Sequence, residues 1–417
     1  MIKKSIGDKS IVPVVMFHSV GLEGTGPVLS HLSEPLFNYL SEPLSSFEEK
    51  ISYMKHVGYN FVFWSDLYAY MSGTGKIKLP AVMLTFDDGY LDNWIYVWPI
   101  LKKYGAKATI FVNPDFVDPS TIARPNIENV WAGQIKENQL FLPGFLNCEE
   151  MRLMQKSGLV DIQSHALTHT WYFSGPRLLG FHGPGNNKYP WMAWNLYPEQ
   201  KPFYLVQDQS KYVPLGTPIY EYEKALICRR YFPPDEVGEE ITSLIDKMSC
   251  KDFLRQNTWE KELSEYHDRL MEKYKHKVYY ESINDYKKRV FEELHGSKET
   301  IEKELDKSVD FVCWPGGAYN TTVLSIAKQV GYKAWTLSSQ DQVGFRNRPG
   351  ADPCQIRRIG CFSKYSLPGG KEYGRAGKYY FISGIQRHKG SLFHKWIGRL
   401  LLLIAMLRSR FQCKRGS

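Results

Sequence analysis

A chain of 417 residues, 43% hydrophobic and 14% aromatic, holds enough apolar material for one large core or two ordinary ones, which excludes a disordered protein. Its net charge of +9 is uneven: from Arg387 to Ser417 there are eight Lys or Arg and no Asp or Glu, so the remainder is near neutral. With no reading motif on that remainder, nucleic acid is not an expected partner, and seven scattered cysteines without a CxxC pair exclude a disulfide framework or a cysteine-bound zinc.

The first twenty residues, MIKKSIGDKSIVPVVMFHSV, have two lysines but no long apolar region and no small-residue cleavage site. The expectation is a cytoplasmic protein, not a secreted one. Within this stretch IVPVVMF reads as a strand ending at His18. Ser46 and Glu49 form a capping-box pattern that starts a helix. That helix stops at the first of four similar junctions, KHVGYNFVFW, KKYGAKATIFV, QKSGLVDIQSH and KQVGYKAWTLSS. In each, Gly58, Gly105, Gly158 or Gly331 follows a helical pattern and precedes an apolar, β-rich run. Asn147 with Glu150, and Asn320, supply further helix starts.

Helices alternating with short apolar strands predict parallel βαβ units, and the total suggests a distorted (β/α) barrel of about seven strands. Polar or turn residues fall at the C-terminal ends of four strands, where such a barrel places its active site. IVPVVMF delivers His18, AVMLTF delivers Asp87 and Asp88, LVDIQS delivers His165, and VDFVCW delivers Pro315-Gly316-Gly317. The barrel is assigned to residues 8–370, interrupted by a 172–290 insertion that is first aromatic and Gly/Pro-rich and then highly charged and helical. Residues 371–417 form a basic, apolar tail.

The segment VMLTFDDGY drives two adjacent carboxylates into the end of a buried strand, which is costly unless a cation sits beside them. QSHALTHTW supplies the partners: His165 and His169 are four residues apart, facing the same way if on one helical turn. Together they make a two-histidine, one-carboxylate metal site with open positions for water, one aspartate a ligand and the other free beside it as a base. Zinc is the default cation; cobalt, nickel, manganese and iron accept the same mixed ligation.

TFDDG, SHALTH and WPGGAYN resemble successive motifs of the polysaccharide deacetylase family, the metal-dependent carbohydrate esterases of the NodB-homology type. The resemblance covers roughly residues 10–170 and 300–362. It implies that Asp87 is the general base and that Asp88, His165 and His169 hold the metal. Two departures stand out. Cys313 occupies the position where the family usually offers an arginine to orient the base. The family's C-terminal histidine acid is not evident either, since His388 and His394 lie in the basic tail. PVVMFHSV resembles the opening of a permuted branch of the family, including exopolysaccharide poly-N-acetylglucosamine deacetylases, where the histidine acid comes from the first strand. In a closed barrel the first and last strands are neighbours, so His18 fills that role. For the arginine, CQIRRIGCF offers Arg357 and Arg358; alternation along a strand lets only one face inward, and Arg358 is the choice.

The expected reaction removes acetate from an N-acetylated amino sugar in a surface-glycan precursor. The cation polarises the acetyl carbonyl and lowers the pKa of water, Asp87 takes the proton, and His18 protonates the departing amine. The Gly316 backbone N–H supports the oxyanion. Trp171, Trp191 and Trp194 follow the metal histidines and would wall the sugar groove, or else merely pack the insertion. Alternatives are a metal amidohydrolase acting on a small non-sugar amide and an inert sugar-binding module on the same fold. The tail segment KWIGRLLLLIAMLRSR is too short to span a bilayer and suits peripheral contact with inner-membrane lipid, or burial against the barrel.

Overall fold

A computed structural model describes residues 8–21, 41–141, 143–186, 188–247, 253–256, 258–362, 364–366 and 372–413. The principal strands are β1 (Val14–Phe17), β2 (Asn60–Phe61), β3 (Ala81–Phe86), β4 (Ala108–Val112), β5 (Val160–Ser164), β6 (Trp171–Phe181), β7 (Pro218–Lys224), β8 (Phe311–Val312), β9 (Ala334–Thr336), β10 (Gln355–Ile356) and β11 (Ile359–Gly360). The principal helices are α1 (Leu44–His56), α2 (Trp64–Met71), α3 (Trp98–Tyr104), α4 (Cys148–Lys156), α5 (Pro190–Leu196), α6 (Asp235–Lys247), α7 (Trp259–Tyr274), α8 (Ile283–Leu305), α9 (Thr321–Val330), α10 (Lys378–His388) and α11 (Leu392–Cys413).

Nine strands form one curled sheet in the order β10-β9-β8-β5-β4-β3-β1-β11, with β2 on β3, and every pairing is parallel. Residues 355–360 bring the two ends of the curl together. Gln355 and Ile356 pair with β9, and Ile359 pairs with Val15 of β1 a few residues later. The first strand therefore does neighbour the last. All of β3 and β4 is buried, as continuous apolar runs require when helices cover a parallel sheet. Phe17 stacks on Phe86 at 5.2 Å and Phe47 of α1 meets Phe17 edge-on at 5.4 Å, each ring contributing roughly 1.5–3 kcal/mol of burial.

The helix signals read well with one exception. Gly105 and Gly331 close α3 and α9 with φ of 58° and 100°, and Gly58 and Gly158 are also left-handed, at 84° and 70°. Asn147 accepts from the Glu150 amide at 2.8 Å while Glu150 accepts from the Asn147 amide at 3.0 Å, and Asn320 accepts from Val323 at 3.0 Å. Ser46 caps nothing, because α1 begins two residues earlier, after Pro43. Pro43 ends a short strand paired with Ser19–Gly21, so the sheet fixes where that helix starts.

After β5 the chain leaves the sheet in an antiparallel hairpin, β6 with β7. An aromatic cluster that includes Tyr90, Phe116, Phe145, Trp191, Trp194 and Leu205 fills the space beneath it. A separate cluster joins α6 and α7 through Val237, Ile241, Leu263 and Leu270, with Phe181 from the hairpin. Helix α8 returns the chain, and its Val290, Leu294 and Ile301 belong to the main core. Residue 290 thus lies in mid-helix.

Candidate active site

Each of the four strand ends delivers its residues to one edge of the curled sheet. Beyond β3 the chain turns at Asp88 and Gly89, both left-handed, with φ of 72° and 67°. A Cβ at residue 89 would meet the Val112 side chain at 2.9 Å, so only glycine lets the turn lie against β4. The turn separates the two carboxylates. Asp87 stays 3% exposed inside the curl, while Asp88 swings toward the loop after β5.

That loop is not a helical turn. Residues 165–170 are irregular, and Ala166 and His169 are left-handed, with φ of 60° and 44°. The two imidazoles still come together, with centroids 5.2 Å apart, because the backbone folds back on itself. Strain of this kind, about 1–3 kcal/mol per residue, persists only where surrounding contacts enforce it. They do so here. The Asn113 amide donates to the carbonyls of His165 and Ala166, Glu293 accepts from both the Thr168 amide at 2.7 Å and its hydroxyl at 2.8 Å, and buried Lys201 donates to Thr168 O at 3.1 Å while paired with Asp115 at 2.7 Å. None of these supports was expected. Asn113 alone had a signal, since it follows β4 as His18 follows β1.

Asp88 Oδ1 lies 3.3 Å from His165 Nε2 and 3.5 Å from His169 Nε2. His165 Nδ1 is 2.8 Å from the Cys313 carbonyl, which can only accept, so Nδ1 carries a proton and Nε2 is the nitrogen turned to Asp88, able to bind a cation once it gives up its own proton. One carboxylate oxygen and two imidazole nitrogens within reach of one another suit a divalent cation. The charges agree. Burial raises the Asp88 carboxyl, but the hydrogen bond from His165 and the charge of His169 pull it far below the carboxylate range. Burial lowers His169 to about 4, while Cys313 and Asp88 outweigh burial at His165 and raise it. The pocket calls for positive charge, which a divalent cation would supply with both imidazoles neutral.

Asp87 has different neighbours. Arg358 Nη1 is 2.6 Å from its Oδ1 and Nη2 is 2.8 Å from its Oδ2. His18 Nε2 is 3.7 Å from Oδ2, and the Cys313 thiol approaches the same oxygen at 3.7 Å. Burial raises the Asp87 carboxyl, but the Arg358 guanidinium and His18 outweigh it and hold the group below the usual carboxylate range. Arg357 points elsewhere, donating to the Phe345 carbonyl at 3.1 Å. His388 lies buried in α10 among the charges of Arg357, Arg346 and Lys389.

Gly316 has φ 54°, and a Cβ there would meet Lys224 Cε of the hairpin at 2.6 Å. Pro315, Lys224, His169 and Trp171 line one small pocket, and the Trp171 ring sits 5.5 Å from that of His169. The expectation for Trp191 and Trp194 needs correcting. Each is only 5% exposed and packed in the cluster under the hairpin, so neither offers a ring face to a sugar. They follow Pro190 on α5, where Trp191 meets Phe173 of β6 edge-on at 5.4 Å and Trp194 meets Phe116 edge-on at 5.1 Å.

The chain is similar to known proteins. A family model described as polysaccharide deacetylase matches residues 75–202 and 256–335. YxkH of Bacillus subtilis (strain 168), named as a polysaccharide deacetylase, is 36% identical over 86 residues; the match spans 21% of this chain and 31%, about a third, of that relative. A de-N-acetylase from Aggregatibacter actinomycetemcomitans superposes with a TM-score of 0.49 at 19% identity, over 84% of this chain and 94% of that one. The BpsB deacetylase domain from Bordetella bronchiseptica gives a TM-score of 0.49 at 17% identity, over 85% and 97%. The motifs sit in the matched segments, with the paired aspartates, the two histidines and the PGG turn all inside them, and the chain belongs to the polysaccharide deacetylase family.

Proposed function

We propose that this chain is a metal-dependent de-N-acetylase that removes acetate from an N-acetylated amino sugar in a surface-glycan precursor. The observation that carries the reading is the division of two adjacent carboxylates, Asp88 toward two imidazoles and Asp87 toward an arginine. Asp88, His165 and His169 would hold the cation, zinc first among the candidates. When bound, such a cation supplies Lewis-acid polarisation of the acetyl carbonyl and lowers the pKa of water.

The remaining work falls to the chain's own groups. Asp87, kept ionised by Arg358, takes a proton from the water that adds to the carbonyl carbon. The Gly316 N–H donates to the oxygen that becomes negative. His18 gives its proton to the nitrogen as the C–N bond breaks, leaving acetate and a free amine. Trp171, beside His169, is the aromatic that fits a sugar face. The substrate we favour is a lipid-linked precursor at the cytoplasmic leaflet of the inner membrane.

Incubation of the zinc-loaded chain with N-acetylglucosamine oligosaccharides, scored for acetate and free amine together, tests this. The expected result is equimolar release, lost on chelation and restored by zinc. No release from any acetamido glycan, alongside turnover of small non-sugar amides, would overturn it.

A further inference from the structure

Six large apolar side chains of α11 face solvent rather than the protein. Phe393, Trp396, Leu400, Leu403, Ile404 and Leu407 are each 38–68% exposed. At 3.6 residues per turn they fall within an arc of about 100° and form a stripe roughly 21 Å long. The opposite side carries the small residues Gly398, Ala405 and Ser409 beside a half-buried Leu402. Gly398 and Ala405 are buried, and a Cβ at 398 would meet the Ser383 hydroxyl of α10 at 2.9 Å. The helix is seated by its small side and shows its apolar side to solvent, the reverse of an ordinary surface helix.

The charges are arranged around that stripe. Arg399 lies on one flank and Arg408 on the other, both exposed with Lys395, and the Arg399 guanidinium sits 5.4 Å over the Trp396 ring. No Asp or Glu occurs from Arg387 to Ser417. Among the described residues no helix is long and apolar enough to cross a membrane.

We propose that α11 is an interfacial helix that lies in the plane of an anionic phospholipid bilayer. Its stripe enters the acyl boundary, and Lys395, Arg399 and Arg408 sit among the headgroups. Charge complementarity selects this occupant. A second copy of the chain laid on the same face would set two acid-free basic segments against each other with no carboxylate between them. An anionic lipid surface supplies both the apolar layer and the opposite charge, and Trp and Phe favour that boundary.

Vesicle flotation of the full chain tests this, using phosphatidylglycerol with phosphatidylcholine in equal parts against phosphatidylcholine alone. Wild type should float with the mixed vesicles only, and salt should release it as the charges are screened. Lys395→Glu/Arg399→Glu should lower partitioning by about fivefold or more per residue. Leu400→Glu/Leu403→Glu should abolish flotation with the thermal midpoint unchanged, since both side chains are exposed. If that pair melts early, the charge-reversal pair, which removes no apolar contact, decides the matter. Flotation unaffected by charge reversal overturns the proposal. So does a wild type that stays off mixed vesicles, whether as a dimer that the Leu400→Glu/Leu403→Glu pair dissolves or bound to a protein partner.

Discussion

Arg358 grips Asp87 with both arms of its guanidinium, across 271 residues of sequence, at 2.6 and 2.8 Å. The fork fixes the plane of the carboxylate as well as its charge, which a lysine cannot do. Arg358 precedes β11, the strand that lies against β1, so closing the curl is what brings it to Asp87.

Removing that grip should cost both stability and rate. Arg358→Gln leaves a buried carboxylate without its partner and should destabilise the fold by about 3–5 kcal/mol. We expect kcat to fall about 100-fold with KM little changed, the scale of a general base that is present but badly placed. Bound metal should persist, because Asp88, His165 and His169 are untouched, and Arg358→Lys should recover stability better than rate. Denaturant unfolding, metal analysis and steady-state kinetics separate these outcomes.

His18 and His169 should fail differently. His18 lies 3.7 Å from Asp87, whereas His169 faces Asp88 at 3.5 Å. Loss of a general acid should lower kcat about 10²–10⁴-fold in His18→Ala with metal content unchanged. His169→Ala should lose metal and activity together. A fully active His18→Ala enzyme would move the acid role to another residue.

Gly316 carries two demands that can be told apart. Alanine at φ 54° costs about 1–2 kcal/mol whatever surrounds it. The new Cβ also meets Lys224 Cε, the far part of a flexible side chain that can swing aside. Gly316→Ala should therefore melt earlier, and Gly316→Ala/Lys224→Ala should recover less than half of the loss. Full recovery in the double variant would make the contact, not the backbone, the constraint.

His388 should make stability depend on pH. Burial, with Arg357, Arg346 and Lys389 nearby, lowers its ring from 6.5 to about 3. Between those values the unfolded chain binds a proton that the folded chain does not. Stability from this residue is thus intact above pH 6.5 and falls as pH drops toward 3, by up to about 1.4 kcal/mol per pH unit. Among the described residues neither ring nitrogen has a hydrogen-bond partner, so His388→Phe should remove that slope. Urea midpoints at pH 7 and pH 5 should converge for the variant relative to wild type; an equal gap at both would contradict this.

The features legible in the sequence were those that local chemistry dictates. Gly105 and Gly331 end helices because only a residue at ease in a left-handed cap stops one there, and the pattern survives in any context. The strand ends at His18, Asp87 and His165 were legible because a buried parallel strand is an uninterrupted apolar run and the first polar residue marks its limit. Alternation required only that one of Arg357 and Arg358 face inward; both lie in the break between β10 and β11, and it is Arg358 that reaches Asp87. Trp191 and Trp194 were not legible, since an aromatic run has the same composition whether it meets a sugar or a core. Glu293 and Lys201, which with Asn113 clamp the histidine loop, lie far from it in sequence, and spacing carries no trace of them. The four-residue spacing of His165 and His169 suggested a helical turn; two left-handed residues achieve the same convergence.

The account rests on Asp87 and Asp88 doing different work, and one comparison reads that difference directly. Asp87→Asn and Asp88→Asn would each be assayed for acetate release from an N-acetylglucosamine oligosaccharide, with bound metal measured on the same samples. Asp87→Asn should keep its metal and lose acetate release by about 10²–10⁴-fold. Asp88→Asn should lose both. Acetate release by Asp87→Asn equal to wild type, with metal retained, would contradict the account at its centre.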